Sequence, residues 1–302
     1  MKKIIYHIIK FPLILIFIKT PLIKILKKRF AFYRSYVGSS NIFWLTLDAI
    51  FQREYFDKLK DKKKIRELTD STLINGEGKK WALYFYNNCF KTLEDLKKRK
   101  VGTINANEAS PIFEKVINFI KLNNLTNDQN TYIIQIGSSS GRDLEFFSKI
   151  FPKLNYISTD VNDEILNFQK EKYTLFNLRY YKCYAENIDE CIDNFNLSEK
   201  NIIIFSHGSL QYVNPFFLEE FFLKLKKYQK LNLFISEPVS LLFIEDNKII
   251  SKNRGNTSFS HRYDKYAKNS NINIIENKLI RPYLKDDKLH SQTGHFYLHI
   301  SS

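Results

Sequence analysis

The chain has 302 residues, is 44% hydrophobic and 26% charged, and carries 26 Phe and 18 Tyr. That is enough apolar material to bury a core, and it excludes extended disorder over most of the length. The formal net charge of +15 invites a nucleic-acid reading, but residues 101–302 hold 24 basic against 23 acidic side chains, whereas residues 1–34 hold nine basic and no acidic ones. A duplex-binding surface carries its basic patch on the binding domain itself, so nucleic acid is not an expected partner and the terminal charge points to a membrane surface.

Residues 1–30 are apolar but interrupted by lysines. A span across 4–26 would bury Lys10 and Lys19, each costing about 2.5–3.5 kcal/mol near the bilayer centre. The uncharged run 11–18 would rise only about 12 Å as a helix, against a hydrocarbon core of about 30 Å. At about 100° per residue, Lys3, Lys10, Lys24 and Lys28 share one stripe with apolar residues around the rest. The expectation is a helix lying in the interface, cationic side toward headgroups, with Pro12 and Pro21 kinking or dividing it. A signal anchor and an ordinary buried helix are the alternatives. The chain is then cytoplasmic and peripheral at the inner face of a membrane.

Residues 31–110 read as mostly helical. Phe43 opens a stretch of helical spacing to 59, 61–66 is a charged solvated face, and 75–78 is a turn. The segment 81–96, WALYFYNNCFKTLEDL, is aromatic and then amphipathic. Trp81, Tyr84 and Tyr86 read first as core; the other reading makes this region a cover over a substrate. Residues 102–110 are a polar linker, and Pro111 starts the next helix in a favoured position.

From 111 to 302, strands and helices alternate. A helix at 112–122 precedes strands at 132–136, 154–159, 178–183, 201–206 and 231–236, with helices at 142–151, 162–172 and 215–229 between them. A short helix is expected at 258–268, then two strands, 272–284 and 295–300, joined by a polar loop. Such alternation predicts a Rossmann-like, doubly wound α/β sheet with helices on both faces. The last two strands have no room for a crossover helix, so one of them closes the sheet antiparallel.

Three features bear chemistry. The turn Gly137-Ser138-Ser139-Ser140-Gly141 joins strand 132–136 to its helix, Asp160 ends the next strand, and Ser206-His207-Gly208-Ser209 follows the fourth. In order and spacing, these motifs resemble class I S-adenosylmethionine-dependent methyltransferases of the small-molecule type. Gly137 and Gly141 match the outer glycines of the family's first motif, Ser139 replaces the middle one, and Gln135 stands where an acid is common. The resemblance implies S-adenosyl-L-methionine as cofactor, held by Gln135, Gly137, Ser138, Ser139, Gly141, Asp160, Val161, Ala185, Glu186 and Ser206. Asp160 would take the ribose hydroxyls, Val161 would pack on adenine, and Glu186 is a substitute for an acid usual at Tyr184. The Asn/Asp-Pro-Pro-Tyr motif of enzymes methylating nucleic-acid amines is absent.

Each feature has a plainer reading. Asp160 can cap the following helix, His207 can be an ordinary loop histidine, and Glu237 after the fifth strand can merely close a turn. Methyl transfer to a hydroxyl needs positioning and a base, for which His207 and His261 are the candidates; the acceptor expected is a small molecule or a glycan, free or lipid-linked. A non-catalytic nucleotide-fold protein is the rival reading. An NAD-dependent oxidoreductase fits less well, since Gly137 to Gly141 is not G-x-G-x-x-G. Cys89, Cys183 and Cys191 form no CxxC or Cys/His cluster, so reduced thiols and no metal are expected.

Overall fold

The computed structural model describes residues 61–74, 77–101, 104–240, 249–255, 258–281 and 293–302. The expectations for residues 1–60, the membrane-lying segment 1–30 included, fall outside the described residues. The helices are α1 Lys62–Leu73, α2 Gly78–Asn88, α3 Leu93–Lys98, α4 Ala106–Ala109, α5 Ile112–Leu122, α6 Arg142–Ile150, α7 Asp163–Lys172, α8 Ile188–Asn194, α9 Pro215–Leu225 and α10 Tyr263–Asn269. The main sheet has seven strands: β3 Thr131–Ile136, β4 Asn155–Asp160, β5 Leu178–Lys182, β6 Asn201–His207, β7 Leu231–Ser240, β10 Asn273–Ile280 and β11 Thr293–Ser301. Two small pairs lie outside it, β1 Lys100–Val101 with β2 Ile104–Asn105, and β8 Ser251–Gly255 with β9 Ser258–His261.

The spatial order is β10-β11-β7-β6-β3-β4-β5. The pairs β3–β4, β4–β5, β3–β6 and β6–β7 are parallel, while β11 runs antiparallel to both β7 and β10. The antiparallel closing strand expected from the short final connection is β11. Its register is long, pairing His295 with Pro238 and Ser301 with Asn232.

Alternation along the strands builds two cores. Ile134 and Ile136 of β3, with Ile202 and Ile204 of β6, face Ile188, Phe217, Phe221 and Tyr266 from α8, α9 and α10. Ile133, Ile203 and Phe205 face the other way, onto Ile112, Phe113, Leu144 and Phe147 of α5 and α6. Each such side chain contributes about 1.5–3 kcal/mol by leaving water. A parallel strand covered on both faces explains why β3 and β6 read as continuous apolar runs.

Two local expectations are corrected. Residues 258–268 are not one short helix: β9 occupies Ser258–His261 and α10 begins at Tyr263. The linker at 102–110 contains β2 and the short helix α4, which Asn105 caps by accepting from the Glu108 N–H at 2.8 Å.

Candidate functional site

The sequence runs outward from β3 to β4 and β5, then returns to place β6 and β7 on the other side. Strand order therefore reverses between β3 and β6, which is where an open α/β sheet leaves a crevice at its carboxyl ends. A cavity of about 820 Å³ lies there. Its floor comes from the strand ends and the loops after them, including Gln135, Gly137–Ser140, Asp160, His207 and Ser236. Its roof comes from the helical region before the sheet: Arg66, Thr69 and Leu73 of α1, Trp81 and Phe85 of α2, then Phe90 and Leu96.

The serine turn is built into the protein around it. Gly137, Ser139 and Gly141 all have positive φ, at 61°, 48° and 74°. A side chain at Gly137 would collide with Ser209, and at Gly141 its Cβ would lie 2.7 Å from the Tyr173 ring. Both glycines are thus required by neighbouring protein as well as by the turn. Ser139 adopts the left-handed conformation without being glycine, and its N–H donates to Asp160 Oδ2 at 3.2 Å. Ser138 is buried, and its Oγ lies 2.6 Å from Ser158 Oγ and accepts from Gln169 Nε2 at 2.8 Å. Gln169 also donates to the Ser139 carbonyl, and the Tyr173 hydroxyl to the Ser140 carbonyl, both at 2.8 Å. Gln169 of α7 and Tyr173 just past its end therefore clasp the three serines.

Two carboxylates, Asp160 at the end of β4 and Glu237 within β7, have different surroundings. Asp160 lines the cavity and accepts from the N–H groups of Ser139 and Asn162. Burial pushes its pKa up to about 6, with those hydrogen bonds opposing. Glu237, fully buried within β7, accepts from Ser206 Oγ at 2.6 Å and from the N–H groups of Ser209, Leu210 and Gln211 at 3.0, 3.0 and 3.2 Å. Burial raises its pKa too, against four bonds that favour the charge. Glu237 holds the loop after β6 in shape, a larger task than closing a turn.

Of the residues singled out in the sequence, Gln135, Gly137, Ser138, Ser139, Asp160, Val161, Ala185, Glu186 and His207 all line the cavity. Gly141 and Ser206 lie behind the lining; Ser206 spends its hydroxyl on Glu237 and accepts from the Leu210 N–H. His261 lies apart from it, fully buried beside Phe259, Tyr263 and Tyr266, with Nδ1 2.7 Å from Ser251 Oγ. Burial drives its pKa down to about 3, so it stays neutral there. His207 is the reverse case. Burial lowers its pKa, but the hydrogen bond to Asp143 and the charges of Asp143 and Glu237 carry it above the ordinary imidazole value.

Asp143, Arg66 and His295 also line the cavity and escape a sequence reading. Asp143 sits in the first turn of α6, where Gln135 Nε2 donates to its Oδ2 at 3.0 Å and His207 Nδ1 lies 3.3 Å from the same oxygen. An acid two residues past the turn was its only local signal. Arg66 pairs with Glu186 at 2.7 Å and lies 3.5 Å over the Tyr184 ring. No sequence period links positions so far apart. Trp81, expected in the core, is a half-buried roof residue, and Tyr84 is 44% exposed.

Among the described residues no group of three or more His, Cys, Asp or Glu could hold a metal ion, and no helix is long and apolar enough to cross a membrane. No family model matches the chain, and no curated protein matches it. Solved structures do resemble it in fold at low identity. One is the 1,6-didemethyltoxoflavin-N1-methyltransferase of Burkholderia thailandensis, with bound 1,6-didemethyltoxoflavin and S-adenosylhomocysteine, at TM-score 0.49 and 8% identity over 81% of this chain and 91% of that one. A SAM-dependent methyltransferase of Leishmania major gives 0.43 and 11% over 74% and 82%. Another from Anabaena variabilis gives 0.41 and 13% over 67% and 99%.

Proposed function

We propose that the chain is an S-adenosylmethionine-dependent methyltransferase acting on a small molecule, with O-methylation of a saccharide or lipid-linked hydroxyl as the specific reading. The observation that carries it is the cavity at the sheet's switch point, where the Gly137–Gly141 turn and Asp160 stand together. The donor set suits this cofactor. Asp160 offers a carboxylate for ribose hydroxyls, and Val161 and Ala185 offer apolar surface beside it. The buried Oε1 of Gln135 and Oγ of Ser139 lack partners among the described residues and await donors. The serine turn supports an intact site over a decayed one, because the Ser138 hydroxyl and the Ser139 carbonyl are locked to Gln169 of α7 and the Ser140 carbonyl to Tyr173 at its end.

When bound, the cofactor supplies an electrophilic methyl group. The protein's part is to orient the acceptor, exclude water and accept a proton. Asp143 holds Nδ1–H of His207, which leaves Nε2 bare in the neutral ring and able to take the hydroxyl proton. His261, neutral and bonded to Ser251, is assigned a packing role. The roof, with Trp81, Phe85, Phe90 and Phe113 among its lining, suits an acceptor with an apolar body.

Calorimetry with S-adenosylhomocysteine tests the cofactor. Micromolar binding that is lost in Asp160→Ala is expected, and no binding at millimolar ligand would sink the reading. We also propose that residues 1–30 hold the protein at the cytoplasmic face of a membrane. Fused to a soluble reporter, they should carry it into the membrane fraction; a reporter left wholly in the soluble fraction removes this claim.

A further inference from the structure

The sequence lacks an acid at Gln135, so the positive end of the cofactor's amino-acid portion has no obvious counter-charge. Asp143 fills that need. Its carboxylate lines the cavity beside Gln135, in the first turn of the helix that follows the Gly/Ser loop. The orientation of the Gln135 amide is fixed by chemistry, because only its NH2 end can face the Asp143 oxygen at 3.0 Å; an oxygen turned that way would meet a carboxylate. The amide oxygen must then point away from Asp143, and it is buried without a partner among the described residues, in a residue only 2% exposed. A buried acceptor without a donor costs stability unless something supplies one.

The neighbouring cation does not compete. Arg142 directs its guanidinium to Glu145 at 2.7 Å and to the Tyr86 carbonyl at 3.1 Å. His207 and Gln135 both approach Oδ2, so Oδ1 keeps its acceptor capacity. A carboxylate and an orphaned amide oxygen side by side fit a group with several N–H donors and a positive charge.

The geometry points to Asp143 and Gln135 as a paired subsite for a primary ammonium, the α-ammonium of the methionine portion of S-adenosylmethionine. This inference rests on the cofactor reading above. It moves the counter-charge from the strand end to the helix, with Gln135 acting as the link that holds Asp143 in place and adds a second acceptor.

The experiment compares two ligands on the full-length protein: S-adenosylhomocysteine, which carries the ammonium, and 5′-deoxy-5′-methylthioadenosine, which lacks the amino-acid portion. In Asp143→Asn, affinity for S-adenosylhomocysteine should fall about 10- to 100-fold, the worth of a charged hydrogen bond. Affinity for methylthioadenosine should stay within about twofold, a difference too small to reflect a lost interaction of that kind. The exchanged variant Gln135→Glu/Asp143→Asn, which returns the charge to the strand, should regain much of the loss. Equal weakening of both ligands in Asp143→Asn would mean a purely structural role and overturns the subsite. Unchanged binding of S-adenosylhomocysteine overturns it as well. If the unaltered protein binds neither ligand, the cofactor reading itself fails, and the subsite with it.

Discussion

The floor and the roof of the cavity are made differently. On the floor, Glu237, Asp160 and the serine turn are each held by several bonds that the protein supplies: four to Glu237, two backbone amides to Asp160, and the clasp of α7 and Tyr173 on the serine turn. The polar contacts that tie the roof helix α1 down are few and long-range. Among the described residues, besides a 3.9 Å ion pair of Lys62 with Glu220 of α9, three shorter contacts join Arg66 to Glu186, Asp70 to the Tyr184 hydroxyl at 2.7 Å, and the Leu73 carbonyl to Asn162 Nδ2 at 3.0 Å. All three land on the loops after β4 and β5, the side where Asp160 stands. The floor is preorganised and the roof is fastened, and the fastening points belong to the proposed cofactor side.

Removing a floor anchor should cost most. Glu237→Ala would strand three backbone N–H groups and the Ser206 hydroxyl, and should lower unfolding free energy by about 3 kcal/mol or more in urea titration. A loss below about 1 kcal/mol would contradict the anchoring role. Asp160→Asn should act in the opposite direction. The folded pKa of about 6 lies above the unfolded value, so ionisation penalises the fold as pH rises from about 4 through 6 and remains a penalty of roughly 3 kcal/mol at neutral pH. The amide should recover about 1–2 kcal/mol at pH 7, little at pH 4, and lose S-adenosylhomocysteine binding. A ligand-free variant no more stable at pH 7 than the parent would show that the penalty is absent.

On the roof, Arg66→Ala removes a largely buried ion pair and a stack, and should cost about 1–2 kcal/mol. Its sharper signature is kinetic: S-adenosylhomocysteine should leave several-fold faster in stopped-flow displacement. The rate of methyl transfer should rise with pH through an apparent pKa above the ordinary imidazole value of about 6.5, as His207 loses its proton. In Asp143→Asn that midpoint should move down. Smallest is Ser139→Gly, which relieves a left-handed serine and should change stability by at most about 1 kcal/mol, upward.

The floor was far more legible in the sequence than the roof. The run from 131 to 160 reads as strand, turn, helix and strand because apolar continuity, small residues and helical spacing are all local signals. Its elements fall within a residue or two of the structure. The hairpin of β8 and β9 was hidden because Phe259 and His261 face one way on a four-residue strand, too short to set a period. Asp143 looked like one more acid in a helical first turn, and only the fold brings His207 to it. Arg66 and Glu186 are 120 positions apart, and their pairing is purely tertiary.

The roof's fastenings also bear on how such a protein can be rebuilt. Asn162 bonds to Leu73, and a methyl group at Gly78 would come within 2.5 Å of its amide. On α1, Glu186 answers to Arg66, and Tyr184 answers to both Arg66 and Asp70. A roof transplanted from a different acceptor specificity would therefore carry four fastening positions with it, at 66, 70, 73 and 78. Their counterparts at 162, 184 and 186 would have to be changed in the same step. Chimeras cut between residues 99 and 111 without that exchange would join two sound halves whose lock and key no longer match.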